Sequence, residues 1–407
     1  MSALIRGSCL VLGFFTIAAH AGEHAKPAKR YELTPIVATN NAPCEPGFVQ
    51  HTFNRRINES GQVIGYHECW VATGDPTAPF SINAGWGYLW TPGAGSVLLP
   101  GIAADAQGTF GRAINEDGFA VGWEFTPTSV NAPMWLPGNV ATYVVQPLPC
   151  ASFPVSQADD INDHLSIAAS SIRVNSAGTS CTRRWILVAN GNEYVGPEGG
   201  RPSAVNNNDV LVGQRLNDAV KWSPTLGTIV LQAGNSFDRA IPWNLNDRDE
   251  AVGEYQHNDA NDQCVSTRDA MYWSPTNVGR VLERLPNDTH GTALSINDNG
   301  LIVGYSETLT GCNGFDPRLR RAVIWHKGHV TDLNKLLKKS DARKIQLVGA
   351  TAISNRGQIA AYGIYRDRPL DKCWDFVFDP DTGEFHYDTT LQCASVFAFL
   401  LTPKEGD

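Results

Sequence analysis

Five carboxylic acids in this sequence could take part in catalysis. Glycoside cleavage needs two carboxyl groups held about 5–10 Å apart across the scissile bond. The candidates for such a pair are Glu68, Asp75, Glu124, Asp259 and Glu307. The chain contains 41 acidic residues, so pairs of this kind arise by chance and the pattern is a weak indicator of an enzyme.

Two further motifs resemble metal sites without meeting their geometry. His326-x-x-His329 spans a predicted turn, whereas the zinc motif it resembles lies on a helix. Asn297-Asp298-Asn299-Gly300 offers one carboxylate, but a calcium loop needs several acids at alternating positions. No nucleophile elbow, phosphate loop or dinucleotide fingerprint occurs. We therefore predict no metal and no cofactor, and we identify no catalytic residue.

Tryptophans outside the repeated positions are the candidate binding residues. We expect them in or beside loops on one face, where they could stack on a sugar or pack against a protein. They are Trp70, Trp86, Trp123, Trp243 and Trp374. The alternative interpretation is packing beneath long loops.

The first 21 residues have the order of a secretory signal. Arg6 precedes an apolar stretch from Leu10 to Ala18, and Ala19-His20-Ala21 fits a cleavage site. This stretch is too short to span a bilayer. We therefore predict residues 1–21 as a signal peptide, a secreted or periplasmic location, and no membrane span. Cleavage removes one of 32 basic residues and none of the 41 acids, which leaves a net charge of −10 and disfavours nucleic acid as a partner.

Eight cysteines remain after this cleavage, and an even number in an exported protein favours disulfides. They are Cys44, Cys69, Cys150, Cys181, Cys264, Cys312, Cys373 and Cys393. The predicted strand order places all eight on one face. On that basis we predict the pairs Cys44–Cys69, Cys150–Cys181, Cys264–Cys312 and Cys373–Cys393, the last clamping a hairpin insertion around residues 379–383.

The elements that position these residues come from a repeat, Ile-Asn-x-x-Gly-x-x-Val-Gly. Its seven copies are centred on Asn58, Asn115, Asn162, Asn206, Asn246, Asn297 and Ser354. The Asn side chain can bond the backbone two residues on, and the Gly fits the left-handed position of a hairpin loop. His164-Leu165 replaces the turn Gly in the third copy, and Ser354 replaces Asn in the seventh. Both changes make a regular hairpin doubtful in those two copies.

Each copy continues with a third strand and, after a turn, a fourth. The third strands end in Trp90, Trp135, Trp185, Trp222, Trp273 and Trp325, which we expect to pack in the core. Four strands in a unit of roughly 40–57 residues are typical of a propeller blade. The fold we predict is all-β, a β-propeller of about seven four-stranded blades, with six or eight as alternatives. A β-solenoid is disfavoured because its shorter repeats need no long variable loops.

The segment from Tyr31 to Val37 precedes the first repeat, where the fourth strand of the last blade belongs. We expect it to complete that blade and close the ring. Residues 22–403 then form a single repeat domain, and residues 404–407 a short polar tail. With 42% hydrophobic residues, such a domain can bury a sizeable core.

These motifs resemble the HAF family of probable extracellular repeats. Its units read Ala-x-x-Ile-Asn-x-x-Gly-x-Val-Val-Gly, followed by Ala-Phe-Leu-Trp. The resemblance covers residues 31–403 and includes the closing stretch from Ala398 to Pro403, although many members continue into a sorting anchor after it. It implies the fold and secretion. It implies no activity, so no catalytic residue is carried over.

Two classes of function remain. The first is a secreted binding or scaffold module that acts without catalysis through its disulfide-pinned loop face, because repeat folds present broad surfaces. Its partner would be an extracellular protein or a glycan, and we expect a monomer. The alternative is a secreted carbohydrate-active hydrolase or lyase with acidic residues near the propeller channel.

Overall fold

The computed structural model describes most of the chain after its N-terminal segment. The described residues are 28, 30–37, 49–72, 80–138, 141–145, 154–175, 177–234, 238–258, 265–308, 318–367, 371–372, 375–379, 384–388, 392–393 and 396–404. Within these ranges the chain is all-β apart from a 3-10 turn, Leu333–Leu336, and a short helix α1, Lys339–Lys344. No helix in the described ranges is long and apolar enough to cross a membrane.

One N-terminal strand, β1 (Arg30–Ile36), comes before the repeats. Each of the first four repeats forms a four-stranded antiparallel sheet in which the strands pair in chain order. Repeat one is β2 (Val49–Ile57), β3 (Val63–Ala72), β4 (Phe80–Thr91) and β5 (Gly95–Leu98), and repeat two is β6 (Gly108–Ile114), β7 (Ala120–Phe125), β8 (Val130–Trp135) and β9 (Ala141–Val145). Repeat three is β10 (Ser156–Ile161), β11 (Ile167–Val174), β12 (Cys181–Ala189) and β13 (Asn192–Glu198), and repeat four is β14 (Arg201–Val205), β15 (Leu211–Arg215), β16 (Asp218–Ser223) and β17 (Gly227–Gln232).

The next two repeats have the same internal order. Repeat five is β18 (Arg239–Leu245), β19 (Ala251–Asn258), β20 (Val265–Trp273) and β21 (Gly279–Val281), and repeat six is β22 (His290–Ile296), β23 (Leu301–Glu307), β24 (Arg320–His326) and β25 (His329–Asp332). A single parallel pairing, Arg268 with His290, joins these two sheets.

Repeat seven draws its strands from both ends of the chain. It contains β26 (Ile345–Ile353) and β27 (Ile359–Tyr365), and between β27 and its last strand lie β28 (Asp371–Lys372), β29 (Asp375–Asp379), β30 (Glu384–Asp388) and β31 (Gln392–Cys393). The last strand is β32 (Phe397–Lys404), and the order across the sheet is β26, β27, β32, β1. The predicted pairing of the N-terminal strand with the last repeat is confirmed, with Tyr31 opposite Pro403. The predicted hairpin insertion is also present as β29 and β30.

The repeat motif forms the same hairpin in all seven copies. In repeat one, Asn58 Oδ1 accepts a hydrogen bond from the Gln62 amide at 2.9 Å, and Gly61 lies in the left-handed region with φ of 79°. Leu165 takes the same conformation in repeat three, with φ of 61°. In repeat seven the hydroxyl of Ser354 accepts from the Gln358 amide at 3.2 Å. The doubt about these two repeats was therefore wrong, since each substitute residue fulfils the role of the one it replaces.

The core lies between neighbouring sheets. The six repeat tryptophans are at most 7% exposed, which confirms the prediction of core packing. Trp135, for example, packs in a cluster that joins Ile64 and Leu99 of repeat one to Ile114 and Ala120 of repeat two. Each repeat therefore buries its apolar surface against the next one.

A closed circle of hydrogen bonds links the first turns of the repeats. The residue after each motif Asn, or after Ser354 in repeat seven, donates its backbone N–H to a side-chain oxygen of the equivalent residue in the next repeat, at 2.5–3.0 Å. These residues, which we call the turn ring, are Glu59, Glu116, Asp163, Asn207, Asp247, Asp298 and Asn355. The last bond returns from Asn355 to Glu59, so this series of hydrogen bonds closes on itself.

Candidate functional site

The first strand of every repeat has an irregularity at the same position. The register between the first and second strands shifts by one residue, three residues before the motif Asn. A β-bulge of this kind leaves one residue out of the ladder and redirects its side chain. The bulged residues, which we call the bulge ring, are Arg55, Arg112, Asp159, Ser203, Trp243, Leu294 and Thr351. Together with Arg56, these seven side chains line a single cavity of about 60 Å³.

The charged groups of the bulge ring are incompletely paired. Asp159 is buried, and its nearest ion-pair partner is Arg112, at 3.6 Å between Oδ1 and Nη2. Neither carboxylate oxygen of Asp159 accepts a hydrogen bond within the described part of the chain. The neighbouring Asp160 lies 3.5 Å from Arg56 and accepts the Val205 amide at 3.0 Å. Asp159 is therefore the acid of this cavity that can accept a further hydrogen bond.

Aromatic rings pack against both arginines of the bulge ring. Arg112 packs over the Trp123 ring, 4.7 Å from its centroid, and Arg201 lies over the same ring at 5.2 Å. Arg55 packs over Tyr66 and donates from Nη2 to its hydroxyl at 2.8 Å. Burial lowers the pKa of Arg112 to about 9, and the positive charge of Arg55 acts in the same direction against the opposing effect of Asp159. The site therefore concentrates positive charge away from water.

Two of the five tryptophans predicted to bind a ligand belong to this site. Trp243 is half-buried and lines the cavity from within strand β18, not from a loop. Trp123, in β7, packs against Arg112, which lines the cavity. The indole N–H groups of both are buried without an acceptor in the described ranges. Trp86 is half-buried in β4, Trp70 is described only as a backbone position in β3, and Trp374 lies outside the described residues.

A second cavity, of about 160 Å³, lies at the turn end of the repeats. Its lining includes all seven members of the turn ring, five of which are carboxylates. Burial raises the pKa of Glu116, and the nearby charges of Glu59 and Asp163 add to this effect. Arg56 lines both cavities, so the acidic turn end and the basic bulge ring are neighbours.

The acids that the sequence suggested for catalysis do not come together here. Glu124 is occupied by hydrogen bonds from the amides of Ile102 and Ala103 and from Asn131 and Tyr143. Glu307 binds Arg320 at 2.7 Å, and neither Glu124 nor Glu307 lines the two cavities. Glu68 lies in β3, while Asp75 and Asp259 fall outside the described residues. Sequence reasoning missed Arg55, Arg112, Asp159 and Asp160, although charged residues stand two or three positions before the motif Asn only in the first three repeats.

The remaining predicted sites are only partly within the described ranges. His326 and His329 face each other across the β24–β25 hairpin, as the turn interpretation predicts. No group of three or more His, Cys, Asp or Glu that could hold a metal occurs among the described residues. Cys181 is disulfide-bonded. Cys69 and Cys393 are described only as backbone positions, and the other cysteines of the four predicted pairs lie outside the described ranges, so the pairings stay predictions.

No protein-family model and no curated protein sequence matches this chain. Solved structures with a similar course of the backbone include a streptogramin B lyase, with 11% identity, a TM-score of 0.44, and coverage of 93% of this chain and 100% of that one. An oligogalacturonate lyase in complex with manganese has 11% identity, a TM-score of 0.47, and coverage of 94% and 99%. The β-propeller domain of the Trilobed protease from Pyrococcus furiosus has 10% identity, a TM-score of 0.37, and coverage of 86% and 95%. With TM-scores below 0.5, these similarities support no conclusion about the activity of this chain.

Proposed function

We propose that this chain is a secreted, seven-bladed β-propeller that binds a ligand in its central channel. One observation carries this proposal. The bulge recurs in all seven repeats, yet its side chains are chemically diverse, from arginine and aspartate to tryptophan and leucine. Three residues later, where the turn is built, six of seven repeats have Asn. A constant backbone with a varied lining is what a binding site on a repeat frame requires.

The seven-bladed arrangement is supported by two features. The turn ring returns to its starting residue after seven steps. The sheet of repeat seven combines β32 with β1, a pairing that joins the two ends of the chain. Secretion rests on the signal-like residues 1–21, and HAF membership rests on the repeat motif; both stay predictions, as does a monomeric state with an extracellular protein or glycan as partner.

This proposal moves the expected contacts from the loop face to the channel. Trp243 in β18 and Arg112 in β6 both lie on the first strand of their repeats, where a rigid sheet fixes them. Sites on strands are held more closely than sites on loops. The disulfide-pinned loops would then border the site and not form it.

A channel-filling variant tests this proposal. Wild-type protein is screened against glycans and peptides, and each ligand found is measured again with Thr351→Trp, which fills the bulge-ring cavity. The matched control is Thr225→Trp, at an exposed turn of repeat four. We expect Thr351→Trp to abolish binding and Thr225→Trp to leave it unchanged. Equal binding by both variants would place the ligand outside the channel and overturn the proposal.

A second candidate function is hydrolysis or elimination on a carbohydrate, and Asp159 is the observation that favours it. Its unbonded carboxylate could accept a proton from a substrate, while Arg112 at 3.6 Å could stabilise negative charge that develops there. A polysaccharide-depolymerisation screen tests this candidate. Turnover that is lost in Asp159→Asn, with binding retained, would establish it, and the absence of turnover on all polysaccharides that bind would reject it.

A further inference from the structure

We propose that the bulge ring is an anion subsite that takes the carboxylate group of an acidic ligand. This inference rests on the proposed function, because it names the chemistry of the ligand in the same channel. It depends on the balance of charge, on the unused donors and on the size of the cavity.

Guanidinium groups outnumber carboxylates in the cavity lining. Arg55, Arg56 and Arg112 line it, and Asp159 is the one acid among the eight lining residues. Arg56 is already paired with Asp160 at 3.5 Å, so Arg55 and Arg112 face Asp159 alone and one positive charge is left over. Arg201 adds a further guanidinium over the Trp123 ring, 5.2 Å from its centroid. Charge removed from water is costly unless an opposite charge accompanies it. The excess of positive charge is therefore matched to a ligand that brings negative charge.

Several donors in this site also lack acceptors. The Nε groups of Arg55 and Arg112 and the indole N–H of Trp243 are buried without a hydrogen-bond partner in the described ranges. All three residues line the cavity. Buried polar groups are nearly always bonded in proteins, so donors left free mark a place where a ligand supplies the acceptors. The planar fork of arginine matches the two oxygens of a carboxylate.

The cavity is large enough for one anionic group and too small for a sugar ring. Its volume of about 60 Å³ corresponds to roughly four to six water molecules, at ~10–15 Å³ each. The carboxylate would sit in the bulge ring, and the rest of the ligand would extend along the channel. An inorganic oxyanion has similar charge, so the experiment must separate these two sources.

The test compares acetate with acetamide, its neutral counterpart, and with inorganic sulfate. Binding is followed by ¹⁹F NMR of protein labelled with 5-fluorotryptophan, and the Trp243 signal is assigned with Trp243→Phe. We expect acetate to shift this signal in a saturable way and acetamide to leave it unchanged. Equal responses to acetate and acetamide would overturn the inference. Binding of sulfate without acetate would overturn the carboxylate assignment.

Variants of opposite charge give a second readout that a structural role would not produce. Arg112→Gln should weaken acetate binding at least tenfold, whereas Asp159→Asn should strengthen it several-fold because a repelling charge is removed. Arg112→Lys keeps the charge but loses the fork, and we expect an intermediate affinity. The matched control is Arg280→Gln, since Arg280 packs over Tyr272 at 4.6 Å in the outer strand β21. Thermal melts of all variants establish that each is folded.

Changes of the same sign in Arg112→Gln and Asp159→Asn would overturn the inference. The result also separates this inference from the proposed function. A ligand that Thr351→Trp excludes, but whose affinity neither charge variant alters, would reject the anion subsite and leave the channel as the binding site. A ligand that Thr351→Trp does not exclude would reject the channel itself.

Discussion

The carboxylate of Glu59 accepts the backbone N–H of Asn355 at 2.5 Å and that of Arg356 at 3.0 Å. These bonds connect the first repeat to the seventh at the turn end. Glu59 also donates its own N–H to Glu116 of the second repeat. One residue therefore holds both the start and the end of the turn ring.

Replacement of Glu59 by alanine should open the turn ring. The variant loses two charge-assisted hydrogen bonds, so we expect the free energy of unfolding to fall by about 1–2 kcal/mol in chemical denaturation. Glu59→Gln keeps one acceptor oxygen and should lose about half as much. Asp117→Ala, at an exposed position of the second turn, is the control. A loss no larger than that of the control would show that the ring closes without this contact.

The motif asparagines should contribute more to the free energy of unfolding than their bonds within the hairpin alone provide. Asn206 accepts the amides of Asn208 and Val210 and donates to Asn246 O and Asp249 Oδ1 of the next repeat. We expect Asn206→Ala to cost about 2–4 kcal/mol of unfolding free energy, because these groups are buried and lose their partners.

Serine at this position provides the internal comparison. As Ser354 shows, a hydroxyl can accept the amide four residues on, but it is too short to bridge to the next repeat. Asn206→Ser should therefore lose less than Asn206→Ala. The exposed Asn192→Ala serves as the control. Equal losses in the two Asn206 variants would mean that the hairpin bond kept by the serine hydroxyl contributes nothing, and a loss in Asn206→Ser no larger than that of the control would mean that the bridge contributes nothing.

Strand β1 should be essential for stability. Tyr31 is 1% exposed and packs in a core cluster with Leu301, Leu333 and Phe399. We expect Tyr31→Ala to cost about 3–5 kcal/mol, as for other buried aromatic residues, and deletion of residues 22–38 to lower the melting temperature further. Calorimetry of both variants tests this, and an unchanged melt of the deletion would show that the last sheet holds without β1.

Acid should weaken the fold through His67. Its ring is buried, stacks on Tyr88 at 4.5 Å and lies 3.0 Å from the Thr52 hydroxyl. Burial lowers the pKa of His67 from 6.5 to about 4. Between pH 6.5 and 4 the unfolded chain therefore binds a proton on His67 that the folded chain does not bind. The contribution of the neutral, buried ring to the free energy of unfolding is complete above pH 6.5 and is lost as the pH falls towards 4.

The expected loss over this interval is up to about 3 kcal/mol. Urea titrations of wild type and His67→Phe at pH 7, 5.5 and 4 measure it, and the variant should show a shallower fall. His164→Phe, at an exposed turn position, should follow the wild type. Parallel curves for wild type and His67→Phe would contradict the prediction.

The local geometry of each repeat could be predicted from the sequence because it depends on residues close together in the chain. The left-handed φ of Gly61, the burial of Trp185 and the pairing of β1 with the last repeat all follow from a repeated pattern and from counting strands. Leu165 shows the limit, since its φ of 61° is set by the turn around it and not by its own preference.

The candidate site could not be predicted in the same way. A bulge shifts the register by one residue, and the seven bulged residues share no residue type that would mark it. Of the acids that the sequence offers for catalysis, Glu124 is bound by backbone amides and Glu307 by Arg320, and neither set of partners can be deduced from a local pattern. The bonds of the turn ring join residues about 40 or more positions apart, so no local pattern contains them.

The pairing of β1 with β32 also determines when this protein can finish folding. Tyr31 and Pro403 are partners across a separation of 372 residues (403 − 31). During synthesis the first strand therefore emerges with no partner and waits until nearly the whole chain has been made. Contacts between such distant segments form slowly, and an uncovered strand edge invites pairing with other chains. The pairing of β1 with β32 is thus the last step of folding, and until it occurs the same strand edge is the one most exposed to aggregation.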